Sequence, residues 1–289
     1  MSTNQAKQTV RIVTDTTASL PSGYAAAHDL PVVPQVIMFG EESYLEDREI
    51  TYAEFVRRLK VSAQLPKTAA PPPAEFVAAY QRELARAQTI LSIHPTADAS
   101  GTVRSALAAL DQAEGFGKAD IRVIDTRTIG GALGMIVMAA VEWAESGLGA
   151  DEIQARVQDM IIRSRTYFLI STLEYLQKGG RIGGAAALVG SILQIKPVLH
   201  LTDGHIEVLE KVRSHQRAYE RLIGLVLEQC PRTAGARLCV QHADAPDEAE
   251  RLAATLREQL GIQEIPVLSV GSAITTHAGP GVLAVAFFV

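Results

Sequence analysis

The stretch LSIHPTADASGTVRSALAAL (91–110) carries a complete strand-loop-helix unit. An apolar β-prone run ends near His94, a short polar loop follows, and Ser100-Gly101-Thr102 opens a helix with apolar residues at helical spacing. Similar units stand on either side. VRIVTD (10–15) is a β-branched run closing on an acid, and PVVPQVIMF (31–39) is a second run. Between them PSGYAAAHDL (21–30) reads as a short helix begun by Ser22. Thr51 and Glu54 have capping-box spacing ahead of a helix to about Lys60. The prolines of QLPKTAAPPP (64–73) forbid a helix and favour an extended loop. Helix 74–88, strand 89–94, helix 101–114, strand 120–125 and a small-residue helix 129–146 follow, with Asp151 positioned to cap a helix ending near Arg163. Strands alternating with helices predict a mostly parallel sheet.

Past Arg163 the alternation loosens. TYFLIST (166–172) reads as a strand, and LEYLQKGGRIGGAAALVGSILQIK (173–196) is rich in glycine and small residues. PVLHLTDGHIEVLEKV (197–212) reads as a hairpin turning at Asp203-Gly204. Helix 215–229, strand 236–241, helix 246–260, strand 264–270 and a final strand 282–289 complete the pattern. The expected fold class is α/β in two domains. Residues 1–160 form an N-terminal domain around a mostly parallel sheet with flanking helices, and residues 161–289 form a smaller, mixed α/β C-terminal domain.

Composition narrows the function classes. Of 289 residues 47% are hydrophobic and 20% charged, which suits a packed core and argues against general disorder. The balance of 27 basic against 32 acidic residues gives −5, with no reason to expect nucleic acid as a partner. The polar opening MSTNQAKQTV has no signal-peptide core, and IGGALGMIVMAAVEWA (129–144) is too short to span a membrane, so it reads as a buried helix. Cys230 and Cys239 are too far apart for a CxxC motif, and a reducing cytoplasm is the simplest setting.

Five places could carry chemistry. Asp15-Thr16-Thr17 closes the first strand, at the sheet edge where ligands gather, although turn formation and helix capping account for it equally well. Thr68 could reach a ligand from its proline-stiffened loop, though on its own the segment reads as a connector. Ser100, Gly101 and Thr102 place hydroxyls and free N–H groups at a helix start, which suits an anion, while serine is also an ordinary N-cap. Lys178-Gly179-Gly180-Arg181-Ile182-Gly183-Gly184 combines charge with a sharply turning backbone: an anion cradle, a docking patch for an acidic partner, or a helix end. His277, in THAGPG, is the last. The seven histidines, His28, His94, His200, His205, His215, His242 and His277, lack HExxH or HxH spacing, so no metal is expected. Ser100, His277 and an acid leave a nucleophilic triad open, though GxSxG is absent.

Taken in order, these segments resemble the DegV family. IVTDTTASLP, KTAAPPP, ASGTVRSA, VIDTRTIGGALG, TLEYLQKGGRIGG with LQIKPVLHLTDGHIEVLEKVRS, and HAGPGVLAVAFF follow that family's order and spacing over roughly residues 10 to 289. KGGRIGG and HAGPG are the most specific blocks. The resemblance implies a two-domain α/β protein holding one long-chain fatty acid in a tunnel between its domains. It further implies the acyl-carrying, non-enzymatic subunit of a bacterial fatty acid kinase, with a role in phospholipid metabolism. A separate kinase related to dihydroxyacetone kinase would phosphorylate the bound carboxylate to an acyl phosphate, with transient contact at a membrane surface. No cofactor is implied.

Carried over residue by residue, the resemblance puts Thr68, Ser100 and His277 on the carboxylate and Arg181 at the pocket mouth, working with the kinase. Asp15, Gly101, Thr102 and Gly279 lie in matching blocks as supporting or backbone positions. The family's usual loop reads close to TSQPS, whereas Thr68 is followed here by Ala69, Ala70, Pro71 and Pro72. Two other readings stand beside this one: a hydrolase using Ser100 and His277, and a lipid sensor without a kinase partner.

Overall fold

The computed structural model describes residues 8–112, 116, 119–188, 195–233 and 235–289. The opening residues 1–7, the last two positions of the helix expected at 101–114, and residues 189–194 of the glycine-rich segment lie outside the described residues.

Strands β1 (Gln8–Asp15), β2 (Val32–Val33), β6 (Ala87–His94) and β7 (Asp120–Asp125) form a parallel sheet in the order β2-β1-β6-β7. The run 31–39, expected as one strand, divides at Pro34. Proline has no N–H for a ladder, so β2 stays beside β1 while β3 (Val36–Phe39) leaves for another sheet. There it pairs antiparallel with β4 (Glu42–Leu45) and β5 (Lys67–Ala69). The segment around Thr68 is therefore extended, as its prolines predict, but it is a paired strand with Thr68 opposite Ile37.

The helices of this half are α1 (Tyr24–Ala27), α2 (Tyr52–Val61), α3 (Pro73–Leu84), α4 (Thr102–Gln112), α5 (Gly131–Glu145) and α6 (Ala150–Arg163). The Thr51 hydroxyl accepts from the Glu54 N–H at 3.3 Å, so the capping spacing was read correctly. Two other starts need correction. Gly23, in the left-handed region, precedes α1 in place of Ser22, and Gly149 caps α6. Asp151 stands in the first turn, where its charge favours the helix dipole.

The second half holds β8 (Ser164–Leu169), α7 (Glu174–Lys178), a 3₁₀ turn (Gly183–Leu188), β9 (Lys196–Thr202) and β10 (His205–Val212). After these come α8 (His215–Gln229), β11 (Leu238–Ala243), α9 (Pro246–Leu260), β12 (Val267–Ser269), α10 (Gly271–Ala278) and β13 (Val282–Phe288). Its sheet runs β10-β9-β8-β13-β11-β12, antiparallel except for β11 against β12. The hairpin turns where the sequence places it: Asp203 and Gly204 have φ of 47° and 84°, the double left-handed signature of a type I′ turn. The strand expected at 264–270 is shorter, and α10 after it was not foreseen.

Helix α5 lies between the two large sheets, in contact with β1 and β6 on one side and β8, β11 and β13 on the other. From Gly131 to Val141 every residue is apolar, and Leu133, Ile136, Val137, Ala139 and Ala140 are fully buried. One cluster runs from Val10, Ile12 and Leu91 through α5 to Cys239, Ala286 and Phe288. Among the described residues no helix is long and apolar enough to cross a membrane. The α/β class, with a parallel sheet followed by a mixed one, is as expected.

Candidate functional site

Parallel strands expose their carboxyl ends and the N-termini of following helices at one edge of the sheet, a natural place for a ligand. Here that edge faces β5, α7, α10 and the β9–β10 hairpin across a cavity of about 740 Å³, counting its open mouth. Its polar lining comes from Thr17, Gln35, Thr68, Thr96, Ser100 and His277. Its apolar lining includes Leu176, Leu201, Ile206, Ile274 and Ala278. Four of these five, Leu201 excepted, belong to or pack on a hydrophobic cluster that continues to Phe168, Leu188 and Leu199.

His277 sits in the last turn of α10, just before the Gly279-Pro280-Gly281 segment. The helix is built from β-branched residues that seldom start one. The Thr275 and Thr276 hydroxyls donate back to the Gly271 and Ser272 carbonyls at 2.6 and 2.9 Å, and the buried Glu46 carboxylate accepts the Ala273 N–H at 2.8 Å. Gly279, at φ 80°, then ends the helix against the Tyr175 ring, where a Cβ would not fit.

The His277 Nε2 lies 2.7 Å from the Thr68 hydroxyl, which joins β5 to α10 across 209 residues. Nδ1 is buried without a partner, and burial, helped by the nearby Arg181 charge, pushes the imidazole down to about 4. The ring is therefore neutral near pH 7. It rests on the Gly179 backbone, where an added Cβ would come within 3.0 Å of Nδ1. The next glycine answers a different need. Gly180, at φ 71°, closes α7 with paired bonds, Arg181 N–H to the Leu176 carbonyl at 2.9 Å and Gly180 N–H to the Gln177 carbonyl at 3.1 Å. That turn brings Arg181 across the mouth, where its guanidinium donates to the Ala99 carbonyl at 3.0 Å and the Gly179 carbonyl at 2.6 Å. Arg181 is exposed and forms no ion pair with any described residue.

Ser100 stands one residue before Gly101, at the start of α4. Its hydroxyl is 2.7 Å from that of Thr102 and accepts weakly from the Thr102 N–H at 3.3 Å. Behind it lies a buried polar chain. The Gln35 amide donates to Thr102 Oγ1 at 2.8 Å and to Asp15 Oδ1 at 3.0 Å. That same Asp15 oxygen accepts from the Thr17 N–H at 3.0 Å and hydroxyl at 2.6 Å. Asp15 Oδ2 meets His94 Nδ1 at 2.7 Å, His94 Nε2 meets the Ser92 hydroxyl at 2.6 Å, and Ser92 meets the Tyr80 hydroxyl at 2.8 Å. Asp15, His94, Ser92, Tyr80 and Thr102 have no exposed surface.

Thr68, Ser100, His277, Arg181 and Gly101 thus line one cavity, with Asp15 and Thr102 directly behind it and Gly279 ending the helix that carries His277. Gly101 faces Ala70, and the Ser105 hydroxyl holds the Pro71 carbonyl, so the alanine-proline loop is fastened to α4. Thr17, from the Asp15-Thr16-Thr17 cluster, lines the cavity as that reading allowed, whereas Gln35, Thr96 and the deeper His94 were missed. Only the alternation Ser92-x-His94, which sets both side chains on one face of β6, hinted at the last.

The DegV family model, described as an uncharacterised protein family, matches residues 9–289. A DegV domain-containing protein of Streptomyces coelicolor is 38% identical over 281 residues, covering 96% of this chain and 97% of its own. A solved Thermus thermophilus protein, described as a fatty acid binding DegV family protein, superposes with a TM-score of 0.88 at 30% identity, covering 97% of this chain and all of its own. Bacillus subtilis DegV, described as a fatty acid binding protein, gives 0.87 at 30% identity, covering 98% and 100%. With the family model matched over residues 9–289 and the same fold over nearly its whole length, this chain belongs to the DegV family.

Proposed function

We propose that this protein binds one long-chain fatty acid, its carboxylate held by Thr68, Ser100 and the His277 network and its tail running over Leu176, Ile206, Ile274 and Ala278. The observation that carries this reading is a single cavity joining hydroxyl donors at a helix start to a wall continuous with an apolar cluster. A carboxylate withdrawn from water needs such donors, or it takes up a proton. The tail supplies most of the affinity, at about 0.8 kcal/mol per buried CH₂ before ordering costs. The fatty acid binding described for the Thermus and Bacillus relatives supports the same ligand class.

The protein does no chemistry itself on this reading. It presents the carboxylate to a kinase related to dihydroxyacetone kinase, with Arg181 at the mouth for that encounter, in the cytoplasm where Cys230 and Cys239 stay as free thiols. We draw the division between its two domains at residues 160 and 161, between the strands of the parallel sheet and those of the mixed one. A Ser100–His277 hydrolase has less support. Ser100 is hydrogen-bonded to Thr102, His277 to Thr68, and no described carboxylate reaches His277 Nδ1 to orient the ring as a base.

The test is denaturing extraction and mass spectrometry of the purified protein. A co-purified C14–C18 acid, or stoichiometric uptake of one added, is expected. Neither on a folded sample overturns the reading.

A further inference from the structure

The buried chain behind Ser100 has a direction, and the direction follows from which groups can only donate. Asp15 Oδ1 faces three N–H or O–H groups, so the Gln35 group beside it is the amide NH₂. That NH₂ spends its second hydrogen on Thr102 Oγ1. Thr102, fully buried, then has one proton and one remaining partner within reach, the Ser100 oxygen. Were Ser100 to donate to Thr102 instead, the Thr102 proton would be buried without an acceptor, at a cost larger than the bond itself. Ser100 therefore accepts from Thr102, and its own proton is left for the cavity.

The other arm runs inward, to Asp15. The Tyr80 phenol is buried with Ser92 as its partner, and burial raises its hold on its proton. Tyr80 donates to Ser92, Ser92 to His94 Nε2, and His94 Nδ1–H to Asp15 Oδ2. Asp15 thus accepts from Gln35 and from His94, while the Thr102–Ser100 arm runs outward to the cavity. Across the cavity, an Nδ1–H on His277 would be an orphaned buried donor, so the proton sits on Nε2 and goes to Thr68. Thr68, having accepted, also keeps its own proton for the cavity.

We infer that Gln35, acting through Thr102, fixes the Ser100 hydroxyl as a donor into the cavity, so that the site selects an ionised head group over a neutral one on the same chain. The inference rests on the lipid reading above and adds to it a positioning residue that sets head-group specificity. A carboxylate only accepts and satisfies both hydroxyls. An alcohol oxygen accepts only weaker, uncharged bonds and must place its own proton on a hydroxyl oxygen that already accepts one from Thr102 or His277, so a site of fixed donors favours the carboxylate. Gln35 is well placed for such a role. Its backbone N–H donates to the Thr16 hydroxyl at 3.0 Å and its carbonyl accepts the Glu46 N–H at 2.9 Å, so its side chain enters the cluster from a fixed stem.

The experiment compares hexadecanoic acid with hexadecanol at pH 8, each displacing a fluorescent fatty acid from delipidated protein. The wild type should favour the acid by about ten- to a hundredfold, the range of one charge-assisted bond. Gln35→Glu is nearly isosteric and offers Thr102 an acceptor, so Thr102 turns away, Ser100 turns to Thr102, and the ratio should fall towards one. Gln35→Met removes the donor without adding charge. It leaves Ser100 free to point either way, so the ratio should fall less, and it remains informative if the glutamate variant fails to fold. A ratio unchanged in either folded variant overturns the inference, as does a parallel loss of both ligands, which a merely structural role would give. Equal binding of acid and alcohol by the wild type overturns it while leaving the lipid reading intact. Binding of neither overturns the lipid reading and the inference with it.

Discussion

Gly179→Ala separates the two reasons for the paired glycines. At φ −78° and ψ −8° residue 179 is ordinary helical backbone, so alanine carries no conformational penalty there. The obstacle is the imidazole. The new Cβ would lie within 3.0 Å of His277 Nδ1 and 2.9 Å from the Tyr175 carbonyl, so it cannot slide away from one without striking the other. To restore a van der Waals distance of about 3.5 Å the ring must retreat by roughly 1 Å. A ring displaced by that much cannot keep the present geometry of its 2.7 Å bond to Thr68. Thr68 loses the donor that orients it, and a misaligned charge-assisted bond to the ligand costs ~1.5–3 kcal/mol, about ten- to a hundredfold in affinity. Fluorescent fatty acid titration should show that weakening while the melting temperature moves little. Gly180→Ala should do the opposite. Nothing lies within 4 Å of its missing Cβ, but φ 71° costs alanine ~1 kcal/mol, so stability falls and affinity holds. Equal affinity of Gly179→Ala and wild type would refute the view that His277 acts through Thr68.

Arg181→Ala should leave the fatty acid bound but slow its phosphorylation by an added kinase, read as acyl phosphate formation; an emptied cavity would move Arg181 into the head-group site. Leu133→Ala, in the fully buried middle of α5, should cost ~2–5 kcal/mol and keep a single unfolding transition, because that helix serves both sheets. Two separated transitions by calorimetry would count against that. Burial raises Glu46 from 4.5 to about 7, so its protonated form favours the fold: that stability is whole below pH 4.5 and is lost as pH rises to 7. His277, lowered from 6.5 to about 4, contributes stability above 6.5 that is lost as pH falls to 4. The two slopes oppose one another between pH 4.5 and 6.5. Glu46→Gln should therefore steepen the acid loss of stability, by at most ~3 kcal/mol over that window, measured by urea unfolding at stepped pH; a profile parallel to wild type would refute it.

Much of this was legible in the chain because it is local. The Thr51 helix start, the Asp203-Gly204 turn and the βα units each depend on a few neighbouring residues. The small β3-β4-β5 sheet was missed because VVPQVIMF has no periodic break; only Pro34 marks where one apolar run serves two sheets. Helix α10 was missed because Ile274, Thr275 and Thr276 are poor helix formers, and what holds them is Glu46, more than 200 residues earlier. The candidate site divides the same way. Thr68, Ser100, Arg181 and His277 stand in distinctive blocks, whereas Gln35 and His94 become visible only when Asp15 is folded against them.

The bond between Thr68 and His277 also fixes when the proposed head-group site can form. β13 is hydrogen-bonded on both sides, to β8 and to β11, yet it follows every other described strand in synthesis. Until it leaves the ribosome the mixed sheet lacks a middle strand, and until residue 277 is made Thr68 lacks its partner. On the lipid reading, a chain stalled short of residue 277 therefore holds a parallel sheet with only half a head-group site.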